Sequence, residues 1–118
     1  MKGLDIYTHE EEGYKAKLDF EGWRVAYINY AQRFDRNNLQ RVERHLLTDE
    51  VFVLLKGEGG LFIGEEAEEV VMEPHKVYNV TKGTWHHTWV SKDAQVLIVE
   101  NSNTCKDNTE YMEANGMI

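Results

Sequence analysis

The feature that most constrains the fold of this chain is a period of two in its apolar residues. From residue 14 onward, short stretches alternate apolar and polar side chains, and turn residues such as Glu21-Gly22 and Lys82-Gly83 separate them. This alternation indicates strands, because successive side chains of a strand point to opposite faces. Sustained helical periodicity is nearly absent. The sequence therefore predicts an all-β fold, and short strands at this spacing are typical of a sandwich or small barrel.

The alternation divides the chain into nine predicted strands. They cover residues 14–20, 23–30, 39–47, 50–56, 61–63, 70–72, 77–80, 84–90 and 95–100. Residues 1–13 are polar, with at most a short strand at 4–7. In the polar tail, 101–118, residues 107–115 favour one or two helical turns, capped by Asp107 or Asn108 and stopped by Gly116. We expect residues 1–118 to form a single domain.

Composition limits the class of protein. The 118 residues are 42 % hydrophobic, enough for one core. A net charge of -8 argues against nucleic acid or an anionic membrane surface as a partner, since both require a basic face. Cys105 is the only cysteine, which excludes an intrachain disulfide and a zinc site of several thiolates. No apolar run reaches the length of a signal peptide or a membrane span, so we expect a cytoplasmic protein.

Two stretches concentrate groups capable of chemistry. In the first, Glu43 and His45 share one strand face with Arg41, and Glu50 opens a strand that is apolar on both faces. A carboxylate at the head of such a strand is costly unless it is paired or bound to a metal ion. His45 and Glu50 are suitable ligands for divalent transition metals. The alternative is a structural ion pair.

The second stretch, residues 81–89, has two unlike faces. One face carries Thr84, His86 and Thr88, and the other carries Trp85, His87 and Trp89. If the polar face points inward, it lines a wet or ligand-filled cavity. If the tryptophans point inward, His86 is a surface histidine. Alternation alone favours the second arrangement, because apolar faces usually go inside.

Together the two stretches resemble the paired motifs of the cupin superfamily. Glu50 and Gly57 enclose the six-residue gap of the first motif, and four residues separate His45 from Glu50. Gly83 and His86 have the two-residue gap of the second motif. The resemblance covers residues 39–100. It implies a double-stranded β-helix, the cupin or jelly-roll barrel.

The resemblance also implies a ligand set. His45, Glu50 and His86 stand at the family's metal positions, and Glu43 occupies the fourth, where a histidine is usual. The sequence also departs from the pattern at Thr81, which replaces a proline, and at Val90, which replaces an asparagine. The implied cofactor is a divalent transition metal ion (Zn, Mn, Fe, Ni or Co).

The expected function is that of a small cupin that binds a divalent metal and acts on or binds a small organic molecule. Alternatives are a non-catalytic cupin that binds or senses a sugar or small carboxylate, and a metal-free epimerase or isomerase with His45 or His86 as base. Arg41 either holds a ligand carboxylate or phosphate or pairs with Glu43. The residues expected to line the ligand pocket are Arg41, Phe52, Leu54, Thr84 and Thr88.

We also expect a homodimer. The apolar side chains of this chain exceed what the interior of one small barrel needs, which suggests that some of them are covered by a second copy. These residues are Val51, Val53, Leu55, Trp85 and Trp89.

Overall fold

A computed structural model describes residues 2–114 of the chain. These residues form ten strands and two 3-10 turns, at Gln32–Phe34 and Lys106–Asn108. The strands are β1 (Tyr14–Phe20), β2 (Trp23–Asn29), β3 (Arg41–His45), β4 (Glu50–Lys56), β5 (Gly59–Ile63), β6 (Glu68–Val71), β7 (Tyr78–Val80), β8 (His86–Val90), β9 (Gln95–Asn101) and β10 (Thr109–Glu113). No helix among the described residues is long and apolar enough to cross a membrane.

The strands form two five-stranded sheets. The first has the order β1-β2-β9-β4-β7, and the second has the order β10-β3-β8-β5-β6. Every pairing between neighbouring strands is antiparallel. The strand orders also show that the chain passes repeatedly from one sheet to the other, as in a jelly roll. The predicted all-β fold is confirmed.

The core lies between the sheets and follows the period of two. In β4 the inward row is Glu50, Phe52 and Leu54, and each of these side chains is at most 6 % exposed. The neighbouring row in β9, within the same sheet, is Val96, Ile98 and Glu100, and Glu50 pairs directly with Glu100 in register. A slip of one residue would turn both rows outward, so burial fixes the register. The same rows that are apolar at one end of the barrel thus end in carboxyl groups at the other.

The polar face of β8 points inward. His86 is 3 % exposed, which rules out its being a surface histidine. On the outer face, Trp89 is buried with Phe62 and Ala67, and the guanidinium carbon of Arg36 lies 4.6 Å from the ring centroid. The chain itself therefore covers Trp89, and the expectation that this side chain offers a dimer surface is wrong.

The tail does not form the predicted helical turns. Lys106–Asn108 is a single 3-10 turn, and Thr109–Glu113 is β10, which pairs with β3 along its whole length. Pairing with the exposed edge of β3 supplies hydrogen bonds that a helix this short could not sustain alone. The remainder of the predicted segment, Asn115 and Gly116, lies outside the described residues.

Candidate metal centre and cavity

Four candidate ligands meet at the polar end of the barrel. His45 ends β3, Glu50 opens β4 and His86 opens β8. Glu43, also in β3, is the direct cross-strand partner of His86. Residues far apart in sequence are thus brought together because β3 and β8 are neighbours in one sheet while β4 faces them from the other.

The distances define a compact cluster around one carboxylate oxygen. His45 Nε2 lies 3.1 Å from Glu50 Oε1, and His86 Nε2 lies 2.9 Å from the same oxygen. Glu43 Oε2 is 3.8 Å from His45 Nε2. Glu43, His45 and His86 each have a ligand atom within 4.8 Å of the others. His45, Glu50 and His86 are buried, and Glu43 is half-buried.

Hydrogen bonds on the far side of each imidazole determine which nitrogen carries hydrogen. His86 Nδ1 donates to the carbonyl oxygen of Thr84 at 3.0 Å, since that oxygen can only accept. Thr109 Oγ1 donates to the carbonyl oxygen of Cys105 at 2.8 Å and therefore accepts from His45 Nδ1 at 3.0 Å. Both neutral rings are then Nδ1–H tautomers, with the Nε2 lone pairs directed at the centre.

This arrangement fits a bound cation. Two imidazole lone pairs and a carboxylate oxygen are all acceptors, and they repel one another unless positive charge lies among them, either as protons or as a metal ion. Ligand atoms around a divalent metal at 2.0–2.2 Å are themselves about 3 Å apart, close to the separations seen here. Fixing the Nδ1 hydrogen of a ligating histidine is also the usual outer support of a metal site. The donor set therefore suits a divalent transition metal.

Without a metal, protons take this role. Burial opposes charge on both imidazoles, but the hydrogen bond and charge of Glu50 outweigh it and raise the pKa of His45 and of His86. Burial likewise opposes ionisation of Glu50, yet hydrogen bonds from the two histidines lower its pKa. The cluster thus favours positive charge on the imidazoles beside a carboxylate.

A second carboxyl group, that of Glu100, lies beside the cluster. Burial, reinforced by the negative charge of Glu50, raises the pKa of Glu100. Arg24 Nη1 is 3.8 Å from Glu100 Oε2 and provides partial compensation. Burial and the charge of Glu100 raise the pKa of Tyr14 to about 12. The pKa values of two neighbouring carboxyl groups are thus shifted in opposite directions, as in many acid–base sites.

A cavity of about 330 Å³ opens beside these groups. Of the residues predicted to line a pocket, Phe52 and Thr88 do so. Leu54 does not, because it lies further along the inward row, packed in the core. Thr84 precedes β8, and its hydroxyl is paired with that of Thr81. Arg41 lines an adjoining cavity, and its guanidinium lies over the ring of Tyr111.

Several cavity residues lie outside the motifs and were not predicted. Tyr14 comes from β1, Arg24 from β2, and Thr109 and Tyr111 from β10. Nothing in their local sequence distinguishes them. Glu100 could have been found from the sequence, because it alternates in step with Val96 and Ile98, the inward-facing residues of a predicted strand.

The comparisons with known proteins support the fold. No protein-family profile matches the sequence, and no curated protein matches it significantly. Among solved structures, the nucleoside dehydratase Pac13 aligns with a TM-score of 0.65 and 12 % identity, over 89 % of this chain and 82 % of that one. A variant of Streptomyces Pac13 with uridine gives 0.65 and 12 %, over 93 % of both chains.

Two further solved structures have a similar fold. A cupin-2 domain protein from Shewanella frigidimarina aligns with a TM-score of 0.59 and 14 % identity, over 80 % of this chain and 84 % of that one. KdgF from Halomonas sp. gives 0.59 and 14 %, over 80 % of both chains. At such identities the likeness concerns the fold. The protein has the fold of the cupin superfamily.

Proposed function

We propose that this protein binds one divalent transition metal ion through His45, Glu50, His86 and Glu43 and acts on a small polar organic molecule in the adjoining cavity. The observation that carries the proposal is the orientation of the imidazoles. Thr109 and the Thr84 carbonyl hold both Nδ1–H groups away from the centre, so that both Nε2 atoms converge on Glu50. When each Nε2 atom is unprotonated, this orientation directs two lone pairs at one point beside a carboxylate, as a metal site requires.

The surrounding residues supply acid–base groups for such a reaction. A bound divalent ion would polarise a substrate oxygen and lower the pKa of a coordinated water. Glu100 lines the same cavity, and burial raises the pKa of its carboxyl group, which suits it to donate a proton to a substrate group there. Arg24 restrains this carboxyl group through its contacts with Glu100 and with the carbonyl oxygens of Ser102 and Thr104.

Metal analysis tests the proposal. Protein purified without chelator should contain close to one transition metal ion per chain, and chelator-treated protein should recover it when Zn, Mn, Fe, Ni or Co is supplied. The variant His45→Gln/His86→Gln should not. As a matched control, His75→Gln changes an exposed histidine outside the site and should leave the metal content unchanged. Absence of metal in the native protein, with no recovery, contradicts the proposal.

A second candidate function is metal-free acid–base chemistry. The feature that favours it is the carboxyl pair beside two histidines: hydrogen bonds from the histidines lower the pKa of Glu50, and burial raises the pKa of Glu100. Pac13, which has a similar fold, is a nucleoside dehydratase. This candidate requires turnover of a substrate by metal-free protein, with activity lost in Glu100→Gln. A non-catalytic binding cupin would instead be stabilised thermally by a ligand that is recovered unchanged.

We further propose that the protein is a homodimer. Leu4, Ile6 and Tyr7 at the amino-terminal side are 53 %, 81 % and 42 % exposed, an unusual density of exposed apolar side chains. The outer face of the first sheet adds Val51 and Val53, which are half-buried. Solution sizing at micromolar concentration should give a dimer, and Leu4→Asp/Ile6→Asp should weaken it. A native monomer contradicts this proposal.

A further inference from the structure

We propose that a second cavity beside the metal centre binds an oxyanion, a carboxylate or phosphate, carried by the substrate, and that Arg33 and Arg41 are its ligands. The inference rests on the proposed function, in which the metal centre acts on the other end of the same substrate. The anion site itself is defined by side chains that the metal centre does not use.

The arginines of this chain divide into two groups. Arg24, Arg36 and Arg44 each form an ion pair with an acidic side chain, at 2.8, 2.6 and 2.5 Å respectively. Arg33 and Arg41 have no carboxylate within 4.0 Å among residues 2–114, although the chain carries twenty-one acidic residues. Both of these arginines line the same cavity.

Aromatic rings hold both guanidinium groups in place. The Cζ atom of Arg33 lies 4.2 Å from the ring centroid of Phe34, and that of Arg41 lies 3.9 Å from the centroid of Tyr111. His87 Nε2 donates to the carbonyl oxygen of Arg33 at 3.1 Å and ties this turn to β8. Stacking leaves the planar edge of each guanidinium free for the bidentate bonds that carboxylates and phosphates accept.

The second cavity adjoins the first. It has a volume of about 260 Å³, and Arg33, Glu43, His87 and Tyr111 line both cavities. Glu43 therefore stands between the metal centre and the arginines. A small molecule with an oxygen at the centre and an anionic group several bonds away would span the two compartments. Asn38 and Gln40 also line the second cavity.

Electrostatics favours an anion over a neutral group. Two guanidinium groups and one carboxylate, that of Glu43, line this cavity, so its formal charge is positive, and an oxyanion bound beside the arginines reduces the repulsion between them. Both side chains are exposed to solvent, so the attraction is weakened by salt. The site should therefore select the charge of a substrate at low ionic strength and lose that selectivity as salt rises.

A matched series of probes tests the inference on the full-length protein. Glycerol, glycerate and glycerol 3-phosphate share a carbon skeleton and differ in one terminal group, so that calorimetric titration with each separates charge from hydroxyl binding. We expect one or both anions to bind at millimolar concentration and glycerol to bind at least about tenfold more weakly. Whichever anion binds more tightly identifies the terminal group as carboxylate or phosphate.

Arginine variants complete the test. Arg33→Gln/Arg41→Gln should lose about tenfold or more in anion affinity while retaining metal content. Arg36→Gln is the control, because Arg36 also stacks on an aromatic ring but lies outside both cavities next to Glu69. The inference is overturned if neither anion binds, if glycerol binds equally well, or if the double variant binds anions as tightly as the control. Metal content is measured separately, so failure of the metal centre is distinguished from failure of this site.

Discussion

Thr109 contributes a hydroxyl group that no motif marks, yet it fixes the orientation of one imidazole. Its oxygen accepts from His45 Nδ1 at 3.0 Å. Thr109→Val keeps the shape of the side chain and removes the acceptor. Loss of such outer support typically weakens metal affinity by about 10–100-fold. We expect a decrease in this range when the apo protein is titrated with Zn²⁺.

The control for Thr109 is the same substitution elsewhere in the cavity. Thr88→Val also removes a buried hydroxyl, but this hydroxyl makes no hydrogen bond to a candidate ligand. Its Zn²⁺ affinity should remain near that of the native protein. Equal affinities for the two variants would show that the Thr109 hydroxyl does not orient the metal ligand.

Glu43 is the residue at which the sequence departs from the usual histidine pair. It is half-buried, its carboxylate lies near both imidazoles, and no basic side chain neutralises it within 4.0 Å among the described residues other than His45. If it is a ligand, Glu43→Gln should weaken Mn²⁺ more than Zn²⁺, because Mn²⁺ depends more on carboxylate oxygen. Parallel titrations with the two ions check this, and unchanged affinity for both would remove Glu43 from the ligand set.

At the scale of the element, the turn after β4 positions the motif glycine. Gly57 has a φ of +72°, and a Cβ atom there would lie 2.6 Å from Ala94 Cα. Gly64 has a φ of +84°, with nothing within 4 Å of the corresponding position. Gly57→Ala should therefore cost about 2–4 kcal/mol of unfolding free energy, and Gly64→Ala about 1 kcal/mol. Urea unfolding measures both, and equal losses would contradict the packing argument.

The tail shows where local sequence fails to predict an element. Asp107 and Asn108 look like helix caps, and the residues that follow lack a clean alternation. The decisive factor is a distant strand. β10 pairs with the edge of β3, and the paired residues Thr109 and His45 are 64 positions apart in the sequence. No pattern within the tail contains that information. For the same reason the sequence could not assign Thr109 and Tyr111 to the site.

The strands that bear the motifs were more predictable. His45, Glu50 and His86 could be grouped because the spacing resembles a known family, and parity correctly placed His86 and Thr88 on one face. Parity alone favoured the tryptophan face as the inner one. It failed because Arg36 and the turn near Ala67 cover Trp89 from outside, a contact between segments that alternation does not encode. Trp89 is buried as an apolar side chain usually is, but on the outer side of the sheet and not between the two sheets.

At the scale of the whole molecule, the charged cluster couples stability to pH. The folded pKa of His45 and of His86 lies above the ordinary 6.5, and that of Glu100 lies above 4.5. Groups with a raised folded pKa contribute stability below the unfolded pKa, and that contribution is lost as pH rises through the folded pKa. The metal-free protein should therefore become less stable as pH rises above about 6.5. Denaturant unfolding in chelator across neutral pH measures this loss.

Glu50 acts in the opposite sense on the acid side. Its pKa is lowered, so its contribution is present above the ordinary 4.5 and is lost as pH falls through the folded value. A bound metal would reverse the trend at neutral pH, because it requires deprotonated imidazoles and gains affinity as protons leave. A metal-free protein whose stability does not decrease above neutral pH would contradict the assigned cluster charges.

We propose that residues 1–118 form a single domain. Two sheets share one core, and the site lies at the end where the inward rows of β4 and β9 change from apolar to carboxyl. The net charge of -8 gave no indication of the proposed anion site or of its arginines, because a net value averages over the whole surface.

The most direct test of the metal centre is anomalous X-ray diffraction from crystals of protein purified without chelator. We expect an anomalous peak for one transition metal ion per chain between His45 Nε2, His86 Nε2 and the Glu50 carboxylate, with the Nδ1 bonds to Thr109 and the Thr84 carbonyl retained. Crystals grown with added Zn²⁺ or Mn²⁺ that show no peak there, and Nε2 atoms still bonded directly to Glu50, would contradict it.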